Sequence, residues 1–348
     1  MRYSEDGTVR QKIQSARQRR RETPKEAKAA VATPVVVPPT PTGVVSHQKL
    51  RKMATYAEDL QRYGEAFFER PIGDYTFGPE QTKDIKAFIE RYEYLGTVGI
   101  SPRWVYGARL DGVLACVVCF NLPNAFSKTL GPNTRQYECL IQRGASASFA
   151  HKHLSSKTIA LAIDWMVKNT DKRLFCAYAD CTAAEIGTIY QSLSMDFLGF
   201  KFGTKELYLN PDFKNGRPFS AQSLRRTVLF KKWWKAEYNE PFPSAWLNPK
   251  NGFKDMSKVP PEHKRWLYDY GNRIIAASRK VSTPPKGKYI LVKGKDRKEQ
   301  RLLESLKNYR TYPYPKRDDP KIAAMLKKAM DFAVASGTGF ASDAYFVP

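Results

Sequence analysis

The sequence predicts an α/β fold, a mixed sheet flanked by helices, with a disordered basic arm before it and a basic extension after it. Three observations predict this. Between residues 50 and 215, helical apolar periodicity alternates with short buried-strand runs. Before residue 46 no apolar face repeats. Beyond residue 215 the chain turns basic and rich in aromatics.

Bulk properties limit the function classes. The 348 residues, 42% hydrophobic and 13% aromatic, are enough for a substantial core. Lys and Arg number 58 against 34 Asp and Glu, a formal charge of +24 that favours a polyanionic partner such as DNA, RNA or an anionic membrane surface. The five cysteines, Cys116, Cys119, Cys139, Cys176 and Cys181, sit in apolar runs without the spacing of a disulfide framework, so a reducing cytosol is expected. No window approaches the roughly 18 apolar residues of a membrane span, and no apolar signal core follows the N-terminal charges. A soluble cytoplasmic protein with no membrane partner is expected.

Residues 1–46 carry the basic run Arg17-Gln18-Arg19-Arg20-Arg21 and then Val35-Val36-Val37-Pro38-Pro39-Thr40-Pro41, read as a basic arm and an extended linker. A core over residues 50–215 follows. Gln81 to Tyr94 places Ile85, Phe88, Ile89 and Tyr92 on one helical face. Trp104 to Arg109, a turn at Asp111-Gly112 and Val113 to Phe120 read as a hairpin. A strand from Tyr137 to Gln142 precedes a polar loop at Arg143-Gly144-Ala145-Ser146. A helix from about Ser155 to Lys168, a strand from Leu174 to Tyr178, a short helix from Glu185 to Leu193 and a strand from Phe200 to Leu209 complete the order.

Residues 216–348 form the extension. Arg225-Arg226 and Lys231-Lys232-Trp233-Trp234-Lys235 interleave cations with rings, a pattern suited to phosphates and bases. The tryptophans read more readily as the buried face of a helix. A strand from Gly287 to Val292 leads to a basic helix, Asp296 to Leu306, and to Tyr312-Pro313-Tyr314-Pro315-Lys316. Residues 286–317 hold eleven Lys and Arg against three Asp and Glu, so Lys295, Arg297 and Lys298 join Arg225, Arg226, Lys231 and Lys232 as candidate contacts to double-stranded DNA.

One stretch carries chemistry. Phe175 to Asp180 puts a carboxylate at the end of a buried strand, and Tyr190 follows ten residues later on a helix. Ligands of open α/β sheets bind at such strand ends, where Asp180 and Tyr190 can converge on a substrate. Equally, Asp180 can cap the next helix and Tyr190 can be core. His151 and His153 lack a third regularly spaced ligand, so no metal site is expected, and Cys116 and Cys119 fall on opposite strand faces as packed core.

The string Tyr178-Ala179-Asp180, a spacer, then Gly187-Thr188-Ile189-Tyr190-Gln191 resembles the signature of phage Mom-like proteins, which modify adenine in phage DNA and have an acetyltransferase-like (GNAT) fold. The similarity runs from about Tyr92 to Gly203, with Tyr94-Leu95-Gly96-Thr97, Gln142-Arg143 and Ser156 at further matching positions. Glu93 stands where a histidine is common and His153 where asparagine is common.

The resemblance implies that Asp180 takes the proton of adenine N6 and that Tyr190 protonates a leaving group or orients the base. It implies that Arg143, Gly144, Ser155 and Ser156 hold acetyl-CoA or a related coenzyme A thioester at the helix start. The product would be a carbamoylmethyl or acyl-type group on adenine N6 of a base flipped from the duplex, protecting the DNA from restriction. Tyr75, Trp104, Tyr106 and Tyr178 are candidates for the pocket around that base, with a place in the core the readier reading of each. Two rivals fit part of the pattern: a non-catalytic nucleic-acid-binding protein and an N-acetyltransferase acting on a protein or small molecule.

Overall fold

The computed structural model describes residues 43–123, 129–131, 134–201, 206–213, 218–225, 227–246, 257, 259–282, 284–335 and 346–347. Nearly all of the expected basic arm lies outside them.

The two-residue strand β1 (Gly43–Val44) leads into α1 (His47–Tyr63) and the single turn α2 (Glu65–Phe68). Next come β2 (Tyr75–Pro79) and α3 (Thr82–Tyr92), which buries the expected stripe of Ile85, Phe88, Ile89 and Tyr92. β3 (Trp104–Leu110) and β4 (Val113–Asn121) form the expected antiparallel hairpin. Its turn needs positive φ at two successive residues, and Asp111 and Gly112 supply 48° and 83°.

β5 (Glu138–Ser146) is longer than expected. The stretch read as a polar loop, Arg143 to Ser146, is strand paired with Cys119 to Cys116, because the long apolar β4 offers a template along its whole length. α4 (Leu154–Asn169) and β6 (Leu174–Asp180) follow. The helix expected from Glu185 to Leu193 is a single turn, α5 (Thr188–Gln191), because Gly187 at φ 80° breaks helical geometry just before it. The strand expected over Phe200 to Leu209 is divided into β7 (Asp196–Lys201) and β8 (Leu207–Leu209), which belong to different sheets.

After residue 215, α6 (Thr227–Tyr238) and α7 (Pro261–Ala276) pack Phe230, Trp233, Trp234 and Leu267 into a core of their own with Phe219 and Phe242. The tryptophans are 5% exposed each, as the buried-face reading expects. β9 (Arg279–Val281) pairs with β8. β10 (Lys286–Val292), α8 (Arg297–Ser305), α9 (Pro320–Ala335) and β11 (Phe346–Val347), the partner of β1, complete the described chain.

The main sheet has seven strands in the order β2-β3-β4-β5-β6-β10-β7. The expected extension therefore supplies an internal strand of the core sheet: β10 pairs antiparallel with β6 on one side and β7 on the other. α4 covers one face through Ile159, Ile163 and Met166, packed on Phe120, Phe175 and Ala177. α3 covers the other face at the β2–β4 end, and Leu303 of α8 packs there on Leu174, Cys176 and Ile290. All five cysteines are buried and free. Among the described residues no helix is long and apolar enough to cross a membrane.

Candidate active site

β5 and β6 are the sheet's one parallel pair, and their register runs only from Glu138/Leu174 to Leu140/Cys176. Beyond it β5 continues along β4 while β6 continues along β10, so the two strands part and expose backbone that no neighbour pairs. A cavity of about 410 Å³ opens at that split. Its walls come from Ile141 to Ser146 of β5, Tyr178 and Ala179 of β6, Ser155 of α4, the α5 turn and the start of α1.

Of the residues singled out in sequence, the cavity takes Arg143, Gly144, Ser155 and Tyr190, with Tyr178 at its wall and 43% exposed. Ser156 bonds the His153 carbonyl and is not part of the wall. Asp180 is also outside the wall. Its Oδ1 accepts from the Thr182 amide and hydroxyl at 3.1 and 2.7 Å, and Lys286 Nζ donates to Oδ2 at 2.6 Å. Burial pushes the Asp180 carboxyl up, but Lys286 and Thr182 outweigh it and hold the group below the usual carboxylate range. Asp180 thus caps the short turn after β6, the alternative role its position allowed.

Two other carboxylates line the cavity. Glu93, 2% exposed, accepts from the Leu95 amide at 2.8 Å and lies 3.9 Å from Arg143 Nε. Burial raises its carboxyl above the ordinary range, against the pull of Arg143. Glu185 is raised by burial too, against Arg317 and a hydrogen bond from Ser46. Burial holds the Tyr190 phenol well above its ordinary value, and the negative charge of Glu185 adds to this, so Tyr190 carries its proton at neutral pH. Glu93, Glu185, Lys52 and Arg317 were not found in sequence. Glu93 was set aside as a departure from a histidine, and Arg317 lay in a tail read only for its charge.

The signature residues Gly187 and Gln191 have packing roles. A Cβ on Gly187 would lie 2.3 Å from Tyr289 Cε2. Gln191 Nε2 donates to Tyr289 OH at 3.1 Å and to the carbonyls of Ile186 and Pro315 at 3.2 and 3.3 Å. The segment around Pro315 is laid along β7 by Tyr312 N donating to Phe197 O and Tyr314 OH donating to Met195 O. It carries Arg317 to the cavity, where Nη2 donates to Ala184 O at 2.8 Å.

The residues between Ser146 and Ser155, which form the loop between β5 and α4, are not part of the cavity wall. Five of the eight amides from Ala147 to Leu154 already have acceptors: those of Ala147, Ala150 and Leu154 donate to backbone carbonyls, His151 N to Tyr75 OH and His153 N to His151 Nδ1. Among the described residues no group of three or more His, Cys, Asp and Glu is placed to hold a metal.

Of the other expected base-pocket aromatics, Tyr75 and Tyr106 are core, 4% and 8% exposed, and Trp104 packs beside Lys172. The candidate DNA contacts Lys231 and Lys232 are exposed on α6, and Lys295, Arg297 and Lys298 are exposed at the start of α8. Arg225 ends a short 3-10 helix, and Arg226 lies outside the described residues.

No protein-family model matches the chain, and neither does any curated protein sequence. Solved structures with a similar arrangement include the putative acetyltransferase yncA from Salmonella typhimurium with acetyl-CoA, at 17% identity and TM-score 0.28, covering 38% of this chain and 84% of that one. A GNAT family acetyltransferase from Elizabethkingia anophelis with acetyl-CoA bound is similar at 12% identity and TM-score 0.28, covering 63% and 99%. Arabidopsis thaliana NAA60 in complex with a bisubstrate analogue is similar at 12% and 0.29, covering 37% and 88%. The bound molecules and activities in those descriptions belong to those proteins. From its own sheet, with helices on both faces and one parallel pair that splits at a cavity, this chain has a GNAT-like α/β fold.

Proposed function

We propose that the chain is a group transferase that modifies an amino group in the cavity where β5 and β6 part, and that its acceptor is adenine N6 in double-stranded DNA. The observation that carries the transferase reading is the juxtaposition, at the split, of a carboxylate raised by burial and a protonated phenol, Glu185 and Tyr190. An amino group becomes a nucleophile only as it sheds its proton, and a leaving group departs more easily as it gains one. Glu185 takes the first proton and Tyr190 gives the second. What supports Glu185 over Asp180 as the base is that Glu185 lines the cavity with its carboxyl raised by burial, whereas Asp180 lies outside the wall with its carboxyl depressed. DNA as the acceptor is supported by the charge of +24, by the exposed cations of α6 and α8, and by the Mom-like string around Tyr190.

The donor the resemblance implies is a coenzyme A thioester. Five of the eight amides from Ala147 to Leu154 are engaged, which leaves those of Ser148, Phe149 and Lys152 for a pyrophosphate, and the parted strands offer unpaired backbone to the rest of such a molecule. No step is assigned to it.

The test is mass spectrometry of nucleosides from DNA of cells expressing the chain, with Glu185→Gln, Tyr190→Phe and Asp180→Asn alongside. A new adenine species that disappears with Glu185→Gln and persists with Asp180→Asn is the expected result. Loss with Asp180→Asn alone would return the base role to Asp180. Unmodified DNA from the well-folded wild type would defeat the DNA reading.

A further inference from the structure

Two cations line the cavity, one without a partner among the described residues and the other held only at 3.9 Å by a carboxylate. Lys52, from α1, lines the wall, and its ammonium has no hydrogen-bond or ion-pair partner among the described residues. The neighbour that acts on it is Cys116, a buried thiol whose own ionisation is suppressed by burial. Arg143, on the same wall, donates Nη1 to its neighbour's carbonyl at 3.1 Å, while its Nε is buried without a hydrogen-bond acceptor, 3.9 Å from Glu93. Buried polar groups are nearly always satisfied, so an unpartnered ammonium beside a guanidinium that Glu93 reaches only at 3.9 Å points to a ligand that engages both.

We propose that Lys52 and Arg143 form a site for a small 2-oxo acid, with Arg143 holding the carboxylate and Lys52 capturing the carbonyl carbon as an imine. A guanidinium fork is suited to a carboxylate, and this one has a donor to spare. Desolvation without a counter-ion disfavours the charged ammonium, which frees the lone pair of Lys52 Nζ for attack. Nζ adds to the carbonyl carbon. The two hydrogens of the amine leave with the carbonyl oxygen as water, and a carbon–nitrogen double bond remains. No oxidant or reductant is consumed. The Ser155 hydroxyl, on the same wall and donating to Ser146 Oγ at 3.0 Å, is placed to relay a proton to the departing oxygen. A cavity of about 410 Å³ holds such a molecule with room for an acceptor.

This inference rests on the cavity as the reactive centre and is independent of DNA as acceptor, so its test uses the purified full chain alone. Glyoxylate is added at neutral pH with cyanoborohydride, which reduces an imine to a stable secondary amine, and the product is read by intact mass and peptide mapping. One adduct per chain, mapped to Lys52 and absent from Lys52→Arg and Lys52→Met, is expected. Arg143→Gln should raise the glyoxylate concentration for half-labelling about tenfold, the loss of one charge-assisted contact, and leave labelling by acetaldehyde, which has no carboxylate, unchanged. Adducts spread over the exposed lysines with no preference for Lys52 would overturn the proposal, as would equal effects of Arg143→Gln on both probes. An adduct at Lys52 in a protein that leaves DNA unmodified would uphold this site and sink only the choice of acceptor.

Discussion

Replacing Gly187 with alanine should destabilise the protein by about 2–5 kcal/mol. A residue with a Cβ pays about 1–2 kcal/mol to enter the left-handed region, where Gly187 sits at φ 80°. The new methyl would lie 2.3, 2.6 and 2.9 Å from Cε2, Cζ and OH of Tyr289. That ring has nowhere to retreat, since Tyr289 is fully buried, packs 4.9 Å from Phe197 by ring centroids, and has its hydroxyl bonded to Ile186 O and Gln191. Overpacking of a rigid core adds roughly 1–3 kcal/mol. Urea denaturation of the wild type, Gly187→Ala, Tyr289→Ala and the double variant separates the two contributions. In the Tyr289→Ala background the steric part should vanish, leaving only the backbone cost of about 1–2 kcal/mol, so the cycle should show coupling of more than 1 kcal/mol. A cost below about 1 kcal/mol for Gly187→Ala, or strict additivity in the cycle, would refute the idea that this glycine serves the close approach of Tyr289.

Three further outcomes follow from other parts of the molecule. Asp59, fully buried, accepts from Arg91 Nη2 at 2.7 Å, Tyr92 OH at 2.9 Å and Ser148 Oγ at 2.5 Å, so Asp59→Ala should cost about 3 kcal/mol in chemical denaturation by stranding those donors. Burial lowers the His47 imidazole to about 4, partly opposed by Asp180; folding therefore favours its neutral form, and stability present above pH 6.5 falls as the pH drops from 6.5 towards 4. Wild type should lose up to about 3 kcal/mol more than His47→Asn between pH 7 and pH 4 in paired urea titrations. Lys231→Ala combined with Lys232→Ala should reduce the salt dependence of duplex binding by a slope of about 2, and an unchanged slope would remove α6 from the interface.

The parts of this fold that sequence revealed are those fixed by near neighbours. The apolar stripe of α3, the Asp111-Gly112 turn and the buried faces of Trp233 and Trp234 each depend on residues a few positions apart, so periodicity and turn chemistry suffice to find them. The extent of β5 was missed because pairing with β4, a long-range fact, decides it against the local turn preference of Gly144. The cavity was legible only in part. Tyr190 and Arg143 stood out through a family-like string, whereas Lys52, Glu93, Glu185 and Arg317 come from separate segments that the split sheet gathers. Nothing near Lys52 in sequence marks it, because what sets it apart is a place on the cavity wall with no counter-ion among the described residues. Asp180, conspicuous in sequence, has its oxygens engaged by Thr182 and Lys286, a setting that only the pairing of β6 with β10 reveals.

The position of β10 has an architectural consequence. Lys201 and Lys286 are register partners at the adjacent ends of β7 and β10, and β8 and β9 form a second antiparallel pair within the stretch between them. The described residues between Lys201 and Lys286, with their own tryptophan-rich core, thus lie outside the sheet between two adjacent strand ends, like a bead threaded on the tip of a hairpin. Such an insert can change shape or charge without a single strand of the main sheet being re-registered. Cutting it out and joining Lys201 to Lys286 through a tight turn would ask the sheet only to close an ordinary hairpin. The main sheet and the insert are in that sense separable, held in one chain by a two-strand stem.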